Sequence, residues 1–514
     1  MSRTKFTVIN ARVNLIFYII LFFVSLFSRK YFLELLGNDA MGLNSTLQNI
    51  LGILNLAELG VWSATAYALY KFIHDKNHEK IKEVITIFGQ FYKIIGFVIL
   101  GVSIVVMFFL PQIFKNSGIG TGIVLFAFFA FLYSSLLGFF FNYKQILIVA
   151  DQRNYVIVII SNSIIVVKVL AQILCLHLFT GNFYIWLMLE IVFATINTVF
   201  LNYYVTKLYP WLKLNKYDKG MLVHHKTLLR DIKRLISHKF AGVVVLQTDN
   251  LFIYIFSGLT QVTYYTNYTL IITKLVGLLN SFLNSGTASL GNLVAGGDKK
   301  KIDIVFWEFL TLRYFLAGVT MISSYFLMNS FITIWLGKAY VVGDAVLILI
   351  LVNSYISITR YSVDSFIDSY GLYGHVWAPW TEAALNLGIT LFFGYKFGIV
   401  GVLAGTLVST ILIVCIWKPY YLFSQGFQKS ILNYWANIFK HLLILAITLY
   451  VTYEADGKIL PKPINYGEWL IKGAVIFVIS SIVYGVIIYF SSSGMRTLTK
   501  RVLVMLKIAR PENS

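Results

Sequence analysis

Arg360, Asp364 and Asp368 stand at i, i+4 and i+8 in NSYISITRYSVDSFIDSYGLYGH, a segment that begins at Asn353 and runs between apolar stretches. On a helix that spacing puts all three on one face, with Asn353 and Ser357 along roughly the same stripe. Carboxylates on such a stripe bind a cation or a proton, and an arginine holds a phosphate oxygen. The competing account is a span end that projects into the cytoplasm, with its charges in solvated intrahelical pairs.

Other ionisable residues also fall within or just inside apolar runs: Arg12, Lys168, Lys274, Arg313, Glu58, Glu190, Asp249 and Glu382. Each costs about 2.5 to 3.5 kcal/mol at a bilayer centre and so needs a reason to be there. For any one of them a helix-to-helix ion pair or a snorkelling side chain is explanation enough. As a set they point to a polar cavity.

The elements that must hold these residues follow from composition. The chain has 514 residues, 58% hydrophobic and 12% charged, with mean hydropathy +0.76. A soluble globule carries about 25% charged residues, so this is an all-α polytopic membrane protein. Windows of about 20 apolar residues, the length that crosses the hydrocarbon core, occur near 8–28, 44–70, 87–110, 121–146, 155–178, 183–205, 240–257, 264–294, 308–328, 343–370, 376–395, 398–418, 438–454 and 470–490. That predicts about 14 spans. The first is too long for a cleavable signal peptide and is expected to be retained. Cys175 and Cys415 each sit inside an apolar run, which suits neither a disulfide framework nor a metal site.

The formal net charge of +20 lies in short loops rather than on a soluble face, which argues against nucleic acid. With both termini cytoplasmic, the external segments hold Lys or Arg only at 29, 30, 115, 338, 396, 458 and 462, while 168, 274 and 472 lie inside spans. The rest of the 42 basic residues fall on the cytoplasmic side, a positive-inside pattern for a bacterial inner membrane. The densest cytoplasmic stretch, Lys207 to Lys239, carries basic residues at 207, 213, 216, 219, 226, 230, 233, 234 and 239 against Asp218 and Asp231. Leu228, Ile232 and Leu235 repeat there at helical spacing, so its second part is expected to lie as an amphipathic helix on the membrane surface. The tail from Met495 to Arg510 has the same character.

An internal repeat offset by roughly 222 residues relates the stretch from Gly42 to the stretch from Tyr264. In both, an Asn- and Ser-rich span precedes a charged turn, HDKNHEKIKE in one and GGDKKKID in the other. Six spans per half make the repeat parallel. The domain reading is 1–206 for an N-terminal lobe, 207–239 for the basic linker, 240–420 for a C-terminal lobe, and 421–514 for spans 13 and 14 with the tail.

Four segments together resemble the bacterial polysaccharide or O-antigen flippases of the MOP, MATE-like superfamily. They are LAELGVWSATAYALYK (Leu56 to Lys71), QTDNLFIYIFSGL (Gln247 to Leu259), RYSVDSFIDSYGLYGHVWAPWTEAALNLGIT (Arg360 to Thr390) and FGIVGVLAGTLVST (Phe397 to Thr410). Where many relatives carry a basic residue before Pro379, this chain has Val376, Trp377 and Ala378.

The resemblance implies two six-helix lobes around a central cavity, plus two C-terminal helices. It also implies translocation of an undecaprenyl-diphosphate-linked oligosaccharide by alternating access, without a cofactor. The partners it implies are the lipid-linked substrate, membrane lipids, a polysaccharide polymerase and chain-length machinery. An anionic head group calls for cations, and Arg12, Lys168, Lys274, Arg313 and Arg360 are the candidates. Asn14, Asn55, Asn267, Asn280 and Asn284 are candidates for sugar hydroxyls. Glu58, Asp249, Asp364 and Asp368 are candidates for coupling to a proton or sodium gradient.

A lipid II flippase or a multidrug or cation antiporter of the same superfamily is the alternative within the fold. A membrane glycan polymerase or ligase is the alternative outside it. Such an enzyme needs a large external loop with catalytic acids, and the external loops here are short with no acidic pair.

Overall fold

The computed structural model describes residues 3–55, 58–179, 181–214, 217–218, 248–284, 287–372, 374, 377–459 and 461–505. Helix follows helix: α1 (Arg3–Leu54), α2 (Glu58–His74), α3 (His78–Ile113), α4 (Thr121–Phe140), α5 (Ile146–Ala150), α6 (Asn154–Leu178) and α7 (Phe183–Leu208). After the linker come α8 (Asp249–Ser257), α9 (Leu259–Leu283), α10 (Thr287–Ala295), α11 (Lys299–Trp335), α12 (Asp344–Thr359), α13 (Tyr361–Ser369) and α14 (Trp377–Thr410). Two π-helical stretches, Ile411–Trp417 and Leu422–Phe427, flank the short α15 (Lys418–Tyr421), and α16 (Leu432–Ile459), α17 (Tyr466–Ser491) and α18 (Ser493–Met505) complete the chain.

Among the described residues ten helices are long and apolar enough to cross a membrane. Two of them, Phe6–Leu54 and Trp377–Phe427, kink at a glycine and are each long enough for two spans, while the expected seventh span, 240–257, lies partly outside the described residues. Large apolar side chains such as Phe108, Leu178, Phe282 and Phe490 point outward, as lipid-facing surfaces require.

The expected external loop between spans 1 and 2, over 29–43, is instead helix. Arg29, Lys30, Asn38 and Asp39 read as a polar loop, yet α1 runs through them with one kink at Gly37 (φ 82, ψ 179). The same device separates α8 from α9, at Gly258 (φ 84, ψ 169). That corner of backbone space is practically reserved for glycine.

These two glycines belong to a larger correspondence that confirms the repeat. Left-handed backbone at Lys76, Gly118, Gln152 and Gly181 in the first half is matched at Gly297, Gly337, Gly371 and Gly398 in the second. The charged turns singled out in the sequence carry the clearest match. Lys76 and Gly297 turn the chain, then Asn77 and Asp298 cap α3 and α11 by accepting from the amides of Lys80 and of Lys300 and Lys301. Gly120 and Gly343 then precede α4 and α12 in the same way.

The chain forms two compact units, Met1–Thr263 and Tyr264–Ser514. The boundary lies later than the linker because α8 and the start of α9 are tied into the first unit. Thr263 donates to the Asn38 carbonyl at 2.6 Å, Thr260 to Asp39 at 2.8 Å, and the Tyr254 hydroxyl to the Ile113 carbonyl at 2.7 Å. At the other end of that unit Tyr209 donates to Asp151 at 2.8 Å, and burial beside that carboxylate pushes its phenol above the ordinary range, so it remains a donor.

In the second unit α17 packs on α11 and α16. The Tyr484 ring fills the notch left by Gly318 and joins Val319, Ile444 and Ile488. Lys472, expected inside a span, pairs with Asp456 at 2.6 Å and so links α17 to α16. The tail does not lie free on the surface: α18 sits against α11, where Gly494 meets the Trp307 carbonyl and Arg501 pairs with Glu308 at 3.0 Å. The expected amphipathic helix around Leu228 to Leu235 lies outside the described residues.

Candidate functional site

In the second unit α12 gives way to α13 at Arg360, which brings the i, i+4, i+8 stripe into a packed environment rather than into solvent. Arg360 Nε donates to Asp364 Oδ2 at 2.9 Å, and Lys418 Nζ donates to Asp364 Oδ1 at 2.7 Å. Lys418 comes from the turn of α-helix between the two π-helical stretches, an irregularity of the kind often found at functional sites. Glu382, buried on α14, lies within electrostatic reach of both cations.

The predicted intrahelical pair therefore exists, but it is largely withdrawn from solvent and extended by a residue that the sequence placed in a loop. Both oxygens of Asp364 face cations of its own chain. That leaves them no room for a coupling ion in this arrangement. Asp368 stands exposed on α13.

Arg313 lies on α11 and is fully buried, at 0% exposure. Its Nη2 donates to Asn284 Oδ1 at 2.6 Å, and its Nη1 donates to the Ile358 carbonyl at 3.1 Å and to Asn280 Oδ1 at 3.4 Å. The guanidinium lies 4.5 Å from the Phe309 ring centroid and 5.3 Å from that of Tyr361. Among the described residues every hydrogen-bond partner is a neutral dipole. The site thus joins one diphosphate candidate to two sugar candidates, and in this arrangement their mutual bonds occupy them.

In the first unit Lys168 on α6 pairs with Glu190 on α7, its Nζ reaching Oε2 at 2.8 Å and Oε1 at 3.0 Å. Gln172, one turn on, donates to Glu190 Oε1 at 3.0 Å. A cavity of about 210 Å³ opens beside the pair, lined also by Asn142, Asn197 and Thr198. Glu190 was visible in the sequence as a lone carboxylate in an apolar run; Gln172, Lys418 and Asn142 were not singled out, since polar residues near predicted span ends look like loop.

The other candidates are dispersed. Arg12 and Asn14 are exposed on the first limb of α1, two residues apart and so on different faces. Asn55 Oδ1 accepts from Ser135 at 2.7 Å. Asn267 is fully buried on α9, and neither amide atom has a protein partner. Lys274 is half-buried on α9, Asp249 half-buried in the first turn of α8, and Glu58 opens α2 with its side chain outside the described residues.

No family model matches the sequence, and no curated protein matches it. Solved structures do. The chain is similar to the lipid II flippase MurJ in an inward closed conformation, at 16% identity and TM-score 0.66, over 95% of this chain and 99% of that one. The fold is that of the MurJ and MATE transporters. An inward-facing multidrug resistance MATE transporter of the MOP superfamily aligns at 12% identity and TM-score 0.57, over 77% of this chain and 93% of its own. A MOP superfamily transporter from Pyrococcus furiosus, with a binding pocket of reverse polarity, aligns at 11% identity and TM-score 0.56, over 84% of this chain and 98% of its own. At such identities the likeness speaks for the fold alone.

Proposed function

We propose that this protein is a flippase that carries a polyprenyl-diphosphate-linked oligosaccharide across the cytoplasmic membrane, from the inner to the outer leaflet, by alternating access. The observation that carries this reading is Arg313, a fully buried guanidinium whose hydrogen-bond partners among the described residues are all neutral. A guanidinium held at such depth with no carboxylate bonded to it among the described residues favours an anionic cargo and disfavours the cationic amphiphiles of a drug exporter. The near-complete overlap with MurJ, a flippase of a lipid-linked substrate, supports the same class. Surface polysaccharide or O-antigen synthesis is the biological setting, with a polymerase and chain-length machinery as partners. Lipid II transport is the second reading, and the MurJ likeness is what favours it.

The test is transport in reconstituted vesicles. A fluorescent polyprenyl-diphosphate sugar should move between leaflets with wild-type protein, and Arg313→Gln should slow it at least tenfold with protein still in the membrane. A cationic dye exported faster than the lipid is moved would reject the reading, and complementation of a lipid II flippase deletion would choose the second one.

A further inference from the structure

The cavity in the first unit has a chemistry that the diphosphate reading of Lys168 does not fit. Lys168 is neutralised there by a carboxylate that grips it with both oxygens, so the pair brings no net charge. Around it runs a chain of neutral hydrogen bonds. Ser161 donates to Asn197 at 3.1 Å, Asn142 to Thr198 at 3.1 Å, and Asn202 to Asn142 at 3.1 Å. Glu190, Asn197 and Thr198 share one stripe of α7 at helical spacing, with Phe193 and Ala194 between them on the cavity wall. A stripe of this polarity is poorly suited to acyl chains, which offer nothing to the donor and acceptor capacity that these bonds leave over. It serves either the inside of the unit or a polar occupant.

Charge sign narrows the occupant. An anion meets Glu190, and a metal cation meets Lys168. A neutral polyol meets a carboxylate acceptor, an ammonium donor, two amides and two hydroxyls, with an aromatic ring beside them. We propose that this cavity is a subsite for an uncharged sugar residue of the cargo, and that Glu190, Lys168 and Asn197 exchange hydrogen bonds with its hydroxyls. At about 210 Å³ it has room for a single sugar ring rather than for a chain. The inference rests on the flippase reading and deepens it, since it divides the cargo: the diphosphate goes to cations elsewhere and a sugar goes here.

The test uses the purified full-length protein and four probes: a polyprenyl diphosphate without sugar, and the same lipid bearing one hexose, one N-acetylhexosamine or one deoxyhexose. Binding is read by native mass spectrometry. Wild type should bind at least one glycosylated lipid about tenfold more tightly than the bare lipid, the increment expected of one good hydrogen bond to a charged group. Ala194→Leu fills the cavity without touching the ion pair, and Glu190→Gln removes the charge while keeping the shape. Ala194→Leu should abolish the increment, leave bare-lipid affinity unchanged and retain most of the thermal stability, whereas Glu190→Gln, which strands Lys168, should abolish the increment at a cost in stability. An increment that survives both variants overturns the subsite, as does an equal loss for bare and glycosylated lipid. Equal wild-type affinity for all four probes overturns the subsite while sparing the flippase reading. Wild-type protein that binds none of them overturns both.

Discussion

Asp364 holds two cations with one carboxylate, and that arithmetic makes it sensitive to substitution. Its side chain is 20% exposed, those of Arg360 and Lys418 are 28% and 12%, and both bonds are under 3 Å. Removing one member of a buried pair leaves the others charged without a partner, which costs about 3 to 5 kcal/mol. Asp364→Asn should therefore lower thermal stability in detergent sharply. Adding Lys418→Met should restore part of it, because one of the stranded charges is then gone. A double variant no more stable than the single one would show that Lys418 contributes nothing to the network. The stripe itself was legible from the i, i+4, i+8 spacing, but its second cation was not. Lys418 lies 54 positions from Asp364, and only the rotation of two packed spans decides that they meet.

Kinks set that rotation, and the kinks are where sequence reading fell short. The polar residues at 29 to 39 have the composition of a loop, and hydropathy has no term for a helix that continues through such residues and bends at a single glycine. The charged turns before α3 and α11 were legible as charged stretches repeated at the offset, and the structure adds that Asn77 and Asp298 cap the helices that follow. Gly37 and Gly258 share nearly the same backbone angles, and neither has a neighbour within 4 Å of the position a Cβ would take. Their requirement is therefore conformational, not steric. Gly37→Ala and Gly258→Ala should each cost about 1 to 3 kcal/mol. Gly101→Ala, in the regular interior of α3 with equally open surroundings, should be neutral or slightly stabilising. Melting curves of the three variants check this, and equal behaviour of Gly37 and Gly101 would show that the kink carries no strain.

For the whole molecule, composition was enough to decide class, and a 222-residue offset was enough to expose the duplication, because caps and left-handed turns recur even where side chains have diverged. The attachment of the last two spans was not legible, since a helix in lipid shows in its sequence no hydrophobic stripe marking its partner. The contacts themselves say what removal of residues 429–514 would do. Acyl chains can replace the apolar packing of Tyr484 on Gly318 and Val319, so the remaining chain should still insert in the membrane. Polar partners are not replaceable in that way. Glu308 is 4% exposed and loses Arg501, and Thr311 loses the hydroxyl of Ser492 at 3.2 Å. An orphaned buried polar group costs about 1 to 3 kcal/mol, more for a charge. The truncated protein should consequently melt lower, and Glu308→Gln should recover more stability in the truncated background than in the full chain, where it instead removes an ion pair. Melting temperatures of the four combinations test this directly: an identical effect of Glu308→Gln in both backgrounds would mean that α18 leaves the α11 carboxylate untouched.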